Sequence, residues 1–220
     1  MQGAIDPFRL EELFYQNAHV SRISRLLAHY EIMKLTQTIP GAIVECGVFR
    51  GVSLIRFAAL RELLGSRYAR QIVGFDVFGP FPSGKDDLEN GYVEEFKESY
   101  GSESISEKEL IGILKDKNLY ENLALVPGDI AVTVPKFIEE NPHFRISILN
   151  IDVDLYEPTA VILDSFYPIQ SPGGVVLFDD YGTFPGETEA VEAFFAGRDF
   201  KPKKFSFGKN PTTWSRSRPW

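Results

Sequence analysis

The sequence contains very little cysteine and histidine. Cys46 is the only cysteine among 220 residues, so no disulfide can form within the chain. The three histidines, His19, His29 and His143, are scattered, which argues against a zinc site built from histidine and cysteine. A single thiol suits a reducing compartment, and we expect the protein to be cytoplasmic.

The sequence also lacks an excess of positive charge and any long hydrophobic run. Its 31 acidic and 23 basic residues give a net charge of −8, which opposes a nucleic-acid-binding surface. No apolar stretch approaches the roughly 20 residues of a membrane span. The first residues, MQGAIDPFRL, have no basic or continuous apolar region typical of a secretory signal. We therefore expect neither nucleic acid nor a membrane as partner, and a small molecule is favoured.

Short apolar segments alternate with helical segments along the chain. GAIVEC, RQIVGFD, NLALVPGD, FRISILNIDVD and GGVVLFDD are predicted strands, and residues 20–38 form an amphipathic helix by their three- and four-residue spacing. The last segments, KKFSFGK and TTWSRS, joined by Asn210 and Pro211, predict an antiparallel hairpin. This pattern indicates a single α/β domain, residues 1–220, with a mostly parallel sheet covered by helices on both faces.

Acidic residues stand at the carboxyl ends of all five predicted parallel strands. They are Glu45, Asp76, Asp129, the pair Asp152 and Asp154, and the pair Asp179 and Asp180. In sheets of this type ligands bind beyond the carboxyl ends of the strands. The sequence therefore predicts one cleft lined by acids.

The acids of the fourth and fifth strands predict a metal site. Adjacent strands lie about 4.8 Å apart, so Asp152 and Asp179 come within contact range if their strands are neighbours. Carboxylates that close cannot all stay ionised at low cost, and a divalent cation with oxygen ligands, such as Mg²⁺, removes the conflict. The alternative is that Asp152, Asp154, Asp179 and Asp180 are all structural.

The turn after the first strand, VECGVFRGVS, suggests a nucleoside ligand. Gly47 and Gly51 permit close approach of a ligand to the backbone, although a compact strand–helix turn explains them equally well. Asp76, at the end of the next strand, can accept both ribose hydroxyls, or can simply cap a loop. With Glu45 and Asp129 on the same edge, a cationic ligand such as a sulfonium fits better than a pyrophosphate.

Three segments together resemble the macrocin O-methyltransferase family. They are IDVDLYEPT, YPIQSPGGVVLFDDYG and GETEAVEAFF, and VECGVFRGVSLIRFA, GFDVFGPFP and VPGD resemble the cofactor motifs of that family. The resemblance covers about residues 22–195. It implies a Rossmann-like fold and a Mg²⁺-dependent transfer of a methyl group from S-adenosylmethionine (SAM) to a hydroxyl of a sugar or related natural product.

The resemblance also implies roles for individual residues. Asp152, Asp179 and Asp180 match the metal ligands, and Asp154 matches a proposed general base. Glu45, Gly47, Ser53, Asp76 and Asp129 match cofactor contacts, Glu45 and Gly47 near the methionine part, Asp76 at the ribose and Asp129 at the adenine. If the strand continues to Asp154, its i+2 spacing from Asp152 places both side chains on one side.

Two segments outside these motifs are expected to control access to the cleft. Residues 80–106 form a polar, irregular stretch with several aromatic residues, predicted to be a lid over the acceptor or a surface excursion packed by its own aromatics. The helical segment within residues 1–38 is expected either to cap the cleft or to join a partner in a homodimer.

Other functions remain open at this point. A metal-dependent phenol or catechol O-methyltransferase would use the same cofactors, and a non-catalytic SAM-binding protein would need no metal. A nicotinamide oxidoreductase fits the ribose-binding acid, but the Gly-x-x-x-Gly turn lacks the Gly-x-Gly-x-x-Gly fingerprint of such enzymes.

Overall fold

The computed structural model describes residues 6–208 and 212–215, which form a seven-stranded sheet flanked by helices. The strands are β1 (Ala42–Cys46), β2 (Ile72–Asp76), β3 (Leu123–Pro127), β4 (Ile146–Ile151), β5 (Gln170–Phe178), β6 (Lys203–Lys204) and β7 (Thr212–Ser215), in the order β3-β2-β1-β4-β5-β7-β6. Strands β1 to β5 pair in parallel, whereas β7 runs antiparallel to both β5 and β6. The predicted mostly parallel Rossmann-like sheet with antiparallel C-terminal strands is confirmed, while Asn210 and Pro211 lie outside the described residues.

The helices cover both faces of the sheet. They are α1 (Pro7–Asn17), α2 (Val20–Leu35), α3 (Val52–Leu64), α4 (Asp87–Tyr100), α5 (Glu107–Asp116), α6 (Ile130–Glu140), α7 (Tyr156–Phe166) and α8 (Pro185–Phe195). Alternate residues of β1 contact opposite layers, because side chains of a strand point to the two faces in turn. Val44 packs in the layer of α6, α7 and α8, and Ile43 in the layer of α2, α3 and α5.

The predicted irregular segment 80–106 contains a helix, so that prediction was wrong for α4. The Asp86 side chain caps the helix by accepting a hydrogen bond from the Glu89 backbone N–H at 2.9 Å. Tyr92, Phe96 and Tyr100 recur at four-residue spacing, which places them on one face of a helix. The helical pattern was therefore present in the sequence, but the glycines and prolines before the helix led to the prediction of an irregular segment.

The N-terminal region is divided into two helices with different environments. Helix α2 buries Ala28, Ile32 and Met33, and it packs on α3. Helix α1 has no buried residue, and its Phe8 is 80% exposed. Among the described residues before β1, only α2 and His19 contribute to the cleft at the carboxyl ends of the strands.

Candidate active site

A cavity of about 830 Å³ lies beyond the carboxyl ends of the parallel strands. A volume of this size holds a drug-sized ligand. Its walls come from the start of α2, the turn after β1, the ends of β2, β4 and β5, the start of α6, and segment 80–106. Seven of the predicted site residues line it, namely Gly47, Asp76, Asp129, Asp152, Asp154, Asp179 and Asp180.

Three carboxylates meet on one side of this cavity. Strands β4 and β5 are neighbours, with Ile151 opposite Phe178, so the residues that follow them are adjacent as predicted. Carboxylate oxygens of Asp152, Asp154 and Asp180 all lie within 4.8 Å of one another. Among residues 6–208 and 212–215, none of these three forms a salt bridge with a lysine or arginine. We call Asp152, Asp154 and Asp180 the acid cluster.

Burial and mutual repulsion make ionisation of Asp152 and Asp154 costly. The pKa of Asp152 is raised well above its ordinary value, first by burial and then by the charges of Asp179 and Asp180. The pKa of Asp154 is likewise raised by burial and by Asp180, with which it shares a hydrogen bond. A buried group of acids without enough positive charge is a favourable place for a cation.

Asp179 differs from the acid cluster because it has a cationic partner. Its Oδ2 lies 2.7 Å from Nη2 of Arg25, which extends from α2. Burial raises the pKa of Asp179 to about 6, while Arg25 acts in the opposite direction. The predicted ligand set of Asp152, Asp179 and Asp180 stays a prediction: Asp152 and Asp180 lie together with Asp154 in the acid cluster, whereas Asp179 forms an ion pair with Arg25.

The chain turns before it reaches Asp154, so the condition of the i+2 argument, a strand that continues to Asp154, is not met. Strand β4 ends at Ile151, and Asp154 adopts a left-handed conformation with φ of 61°. Its proximity to Asp152 comes from this turn and not from a continued strand. Aspartate tolerates the left-handed region better than most residues, which explains its presence here.

The other side of the cavity is formed by the turn after β1. Gly47 has φ of 89°, and a Cβ at this position would lie 1.7 Å from the Asp152 carbonyl oxygen. Only glycine therefore allows the turn after β1 to pass so close to the acid cluster. This contact brings the predicted cofactor turn and the predicted metal site into one cavity.

Asp76 has all of its hydrogen-bonding capacity in use. One oxygen accepts from the backbone N–H groups of Val48 and Phe49, at 2.7 and 2.9 Å. The other accepts from the Phe78 N–H at 2.7 Å and from the Ser104 hydroxyl at 2.8 Å. Two carboxylate oxygens offer about four acceptor sites, so a ribose hydroxyl would have to replace or share one of these donors. Ribose binding by Asp76 stays a prediction.

Of the three other predicted cofactor residues, one lines the cavity and two do not. Asp129 lines the cavity and caps α6 by accepting from the Ala131 N–H at 2.9 Å. Glu45 and Ser53 are not among the residues that line it. Glu45 is fully buried, accepts a hydrogen bond from the Asn150 amide at 3.0 Å, and has its pKa raised to about 8 by burial, with Ser53 opposing. Their cofactor contacts also stay predictions.

Sequence reasoning missed two charged residues at this site. Arg25 was read as part of an amphipathic helix, and nothing in its spacing indicates Asp179 as partner. Glu187 lies in the quoted segment GETEAVEAFF, but it received no role. Its side chain is fully buried and accepts a hydrogen bond from the Asp180 N–H at 3.1 Å. The available signal was its spacing from Val191 and Phe195, which places Glu187 on the buried face of α8.

The family model for macrocin-O-methyltransferase (TylF) matches residues 19–214, which is most of the chain. The chain belongs to this family. The predicted family is therefore confirmed, and the protein is a SAM-dependent O-methyltransferase.

Individual relatives of this methyltransferase agree with that assignment. Demethyldecarbamoylnovobiocin O-methyltransferase of Streptomyces niveus is 29% identical over 185 residues, covering 82% of this chain and 68% of the relative. The 8-demethyl-8-(2,3-dimethoxy-alpha-L-rhamnosyl)-tetracenomycin-C 4'-O-methyltransferase of Streptomyces olivaceus is 31% identical over 154 residues, covering 67% and 55%. The apo structure of CalS11, a TDP-rhamnose 3'-O-methyltransferase, has a TM-score of 0.72 and 26% identity, covering 97% of this chain and 88% of that chain.

The longest described helix of this methyltransferase, α2, has 16 residues. Within the described ranges, 6–208 and 212–215, no helix has both the length and the apolar character that a membrane span requires.

Proposed function

We propose that this methyltransferase is Mg²⁺-dependent and that its acceptor is a hydroxyl of a sugar, either free, nucleotide-linked or attached to a natural product. The observation that carries the metal proposal is the acid cluster, whose oxygens lie within 4.8 Å of one another in the same cavity as Gly47. The names of the Streptomyces olivaceus relative and of CalS11 both contain a rhamnose unit, which supports a sugar acceptor.

The donor set of the acid cluster fits a hard divalent cation. Carboxylate oxygens are the ligands that Mg²⁺ takes, and the cluster contains neither nitrogen nor sulfur donors. Asp152 and Asp180 would hold the ion, Asp179 would join them if Arg25 moved away, and Asp154 beside them would act on the acceptor. A bound Mg²⁺ would lower the pKa of an acceptor hydroxyl, while SAM would supply an electrophilic methyl group.

The contribution of the chain itself is alignment and proton removal. Gly47 allows the turn after β1 to lie against Asp152, so a ligand held at that turn and an acceptor at the acid cluster would be neighbours. Asp154 is proposed to take the proton from the acceptor hydroxyl. Aromatic residues of segment 80–106, including Phe81 and Phe96, line the same cavity and would exclude water from the acceptor.

An assay with radiolabelled SAM tests this proposal. The purified protein is incubated with free sugars, nucleotide-linked sugars and catechols, each with Mg²⁺ or with EDTA. We expect label in a sugar acceptor, loss of transfer in EDTA and recovery on addition of Mg²⁺. Transfer to catechols alone would support the phenol or catechol alternative, and equal transfer in EDTA would contradict the metal proposal.

A binding experiment separates the enzyme from a non-catalytic SAM-binding protein. Thermal-shift titrations are made with SAM, Mg²⁺ and both, on the wild type and on the Asp152→Asn variant. A ligand at 100 times its Kd stabilises the folded state by about 2.7 kcal/mol. We expect Mg²⁺ to raise the Tm of the wild type only, while SAM raises the Tm of both proteins. A Mg²⁺ response that persists in Asp152→Asn would place the ion elsewhere.

A further inference from the structure

Glu89 is a buried carboxylate that the proposed reaction does not use. It lies in the first turn of α4 and is only 4% exposed. Its Oε1 accepts a hydrogen bond from the Tyr156 backbone N–H at 2.9 Å, and its Oε2 accepts one from the Lys85 N–H at 2.8 Å. The first contact spans 67 positions of sequence and ends two residues after Asp154.

The Glu89 carboxylate does not make the hydrogen bond that is usual for a glutamate at its position in a helix. Asp86 is the N-cap of α4, and Glu89 stands three residues later, as in a capping box. In a capping box the glutamate side chain accepts from the backbone N–H of the N-cap residue itself. Here the Glu89 side chain accepts instead from Lys85, one residue earlier, and from Tyr156. The carboxylate therefore links α4 to another part of the fold.

Two glycines leave the space that Glu89 occupies. A Cβ on Gly186, in the first turn of α8, would lie 2.3 Å from the Glu89 Oε1 and 2.7 Å from the Tyr156 nitrogen. A Cβ on Gly84 would lie 2.4 Å from the Glu89 Cβ. Any larger residue at position 84 or 186 would displace the Glu89 side chain or the backbone of Tyr156.

The turn that contains Asp154 is held from two directions. The Glu187 N–H of α8 donates to the Asp154 carbonyl at 3.0 Å, and Glu89 of α4 accepts from Tyr156 on the other side of the turn. Asp154 has a positive φ, a conformation that costs free energy and persists where surrounding contacts fix the backbone. The hydrogen bonds on either side of Asp154 are contacts of this kind.

We propose that Glu89 is a positioning residue for Asp154. Its carboxylate fixes the Asp154–Tyr156 turn against α4, so the orientation of the Asp154 side chain depends on a residue of segment 80–106. The proposal rests on the proposed function in one respect, the role of Asp154 in proton removal. Its structural part, the contact between Glu89 and the turn, can be measured without any reaction.

Hydrogen exchange at the Tyr156 amide tests the structural part. Glu89→Ala removes both acceptors, whereas Glu89→Gln keeps one carbonyl oxygen and places an NH₂ group near the second donor. We expect Tyr156 exchange to become faster by about 10- to 100-fold in Glu89→Ala, and by less in Glu89→Gln. The matched control is Glu189→Gln, because Glu189 is an exposed glutamate on α8 whose carboxylate forms an ion pair with the Lys85 side chain at 2.6 Å. Unchanged Tyr156 exchange in folded Glu89→Ala would overturn the proposal.

Steady-state kinetics test the positioning part. We expect kcat of Glu89→Gln to fall by about 10- to 100-fold, as is typical when a supporting contact of a metal site is removed, with the KM for SAM unchanged. Glu189→Gln should keep the wild-type kcat. Faster Tyr156 exchange combined with an unchanged kcat would overturn the positioning role. If the wild type transfers no methyl group to any acceptor, the proposed function fails, and the exchange data still decide whether Glu89 holds the turn.

Discussion

Aspartate carboxylates have different partners on the two sides of the cavity. On the β2 side, Asp76 accepts four hydrogen bonds, three of them from backbone N–H groups. On the side of β4 and β5, the acid cluster has three carboxylates close together and no salt bridge among the described residues. The supply of N–H donors therefore decides whether an acid at the end of a strand organises a loop or is available to a cation.

This difference explains why acids at strand ends cannot be treated as one group. A carboxylate that accepts two or three backbone hydrogen bonds is stabilised in its charged form without any ligand. Carboxylates that face one another are stabilised by protonation or by a cation. The comparison predicts opposite responses to substitution on the two sides, and the variants below test it.

The largest expected effect is on turnover, in Asp154→Asn. Asparagine tolerates the positive φ at this position, so the backbone should keep its conformation. Loss of a general base lowers the rate by a factor of about 10² to 10⁴. We expect turnover to fall by this amount while SAM binding, measured by calorimetry, is retained. The control is Asp164→Asn, which alters an exposed acid on α7. Near-normal turnover in Asp154→Asn would reject Asp154 as the base.

The next effect is on stability and compares Asp76→Asn with Asp152→Asn in metal-free buffer. In Asp76→Asn the new NH₂ group would face N–H donors that have lost their acceptor. The free energy of unfolding should fall by about 1–3 kcal/mol, measured by urea denaturation. In Asp152→Asn one repelling charge disappears, so stability should be unchanged or higher. Equal destabilisation of both variants would show that the two sides of the cavity do not differ in the way described.

The sequence predicted the parts of this structure that depend on local pattern. The parallel strands, the helix beginning at Val20 and the adjacency of Asp152 and Asp179 follow from periodicity and from the alternation of strands and helices. Helix α4 was missed although Asp86 and the four-residue spacing of aromatics indicated it. The glycine- and proline-containing residues before the helix outweighed this signal.

The remaining features depend on contacts between distant parts of the chain. The pairing of Arg25 with Asp179, the four donors around Asp76 and the contact of Glu89 with Tyr156 join residues far apart in sequence. No spacing rule reports which acid receives a guanidinium or an N–H group. For this reason the sequence predicted that the strand-end acids share one cavity, which holds for all of them except Glu45, but it did not predict which of them form the acid cluster.

A further expected effect is the pH dependence contributed by Glu45, which lies on β1 between the two sides. Burial raises its pKa from 4.5 to about 8, so the folded protein keeps a proton that the unfolded chain releases. Its contribution to stability is complete below about pH 4.5 and is lost as the pH rises through about 8. Glu45→Gln removes this titration and keeps a side chain that can bond Asn150. The free energy of unfolding of Glu45→Gln minus that of the wild type should therefore increase between pH 5 and pH 8 in urea denaturation. A difference that stays constant over this range would mean that Glu45 is ionised in the folded protein, as a residue with enough hydrogen-bond donors would be.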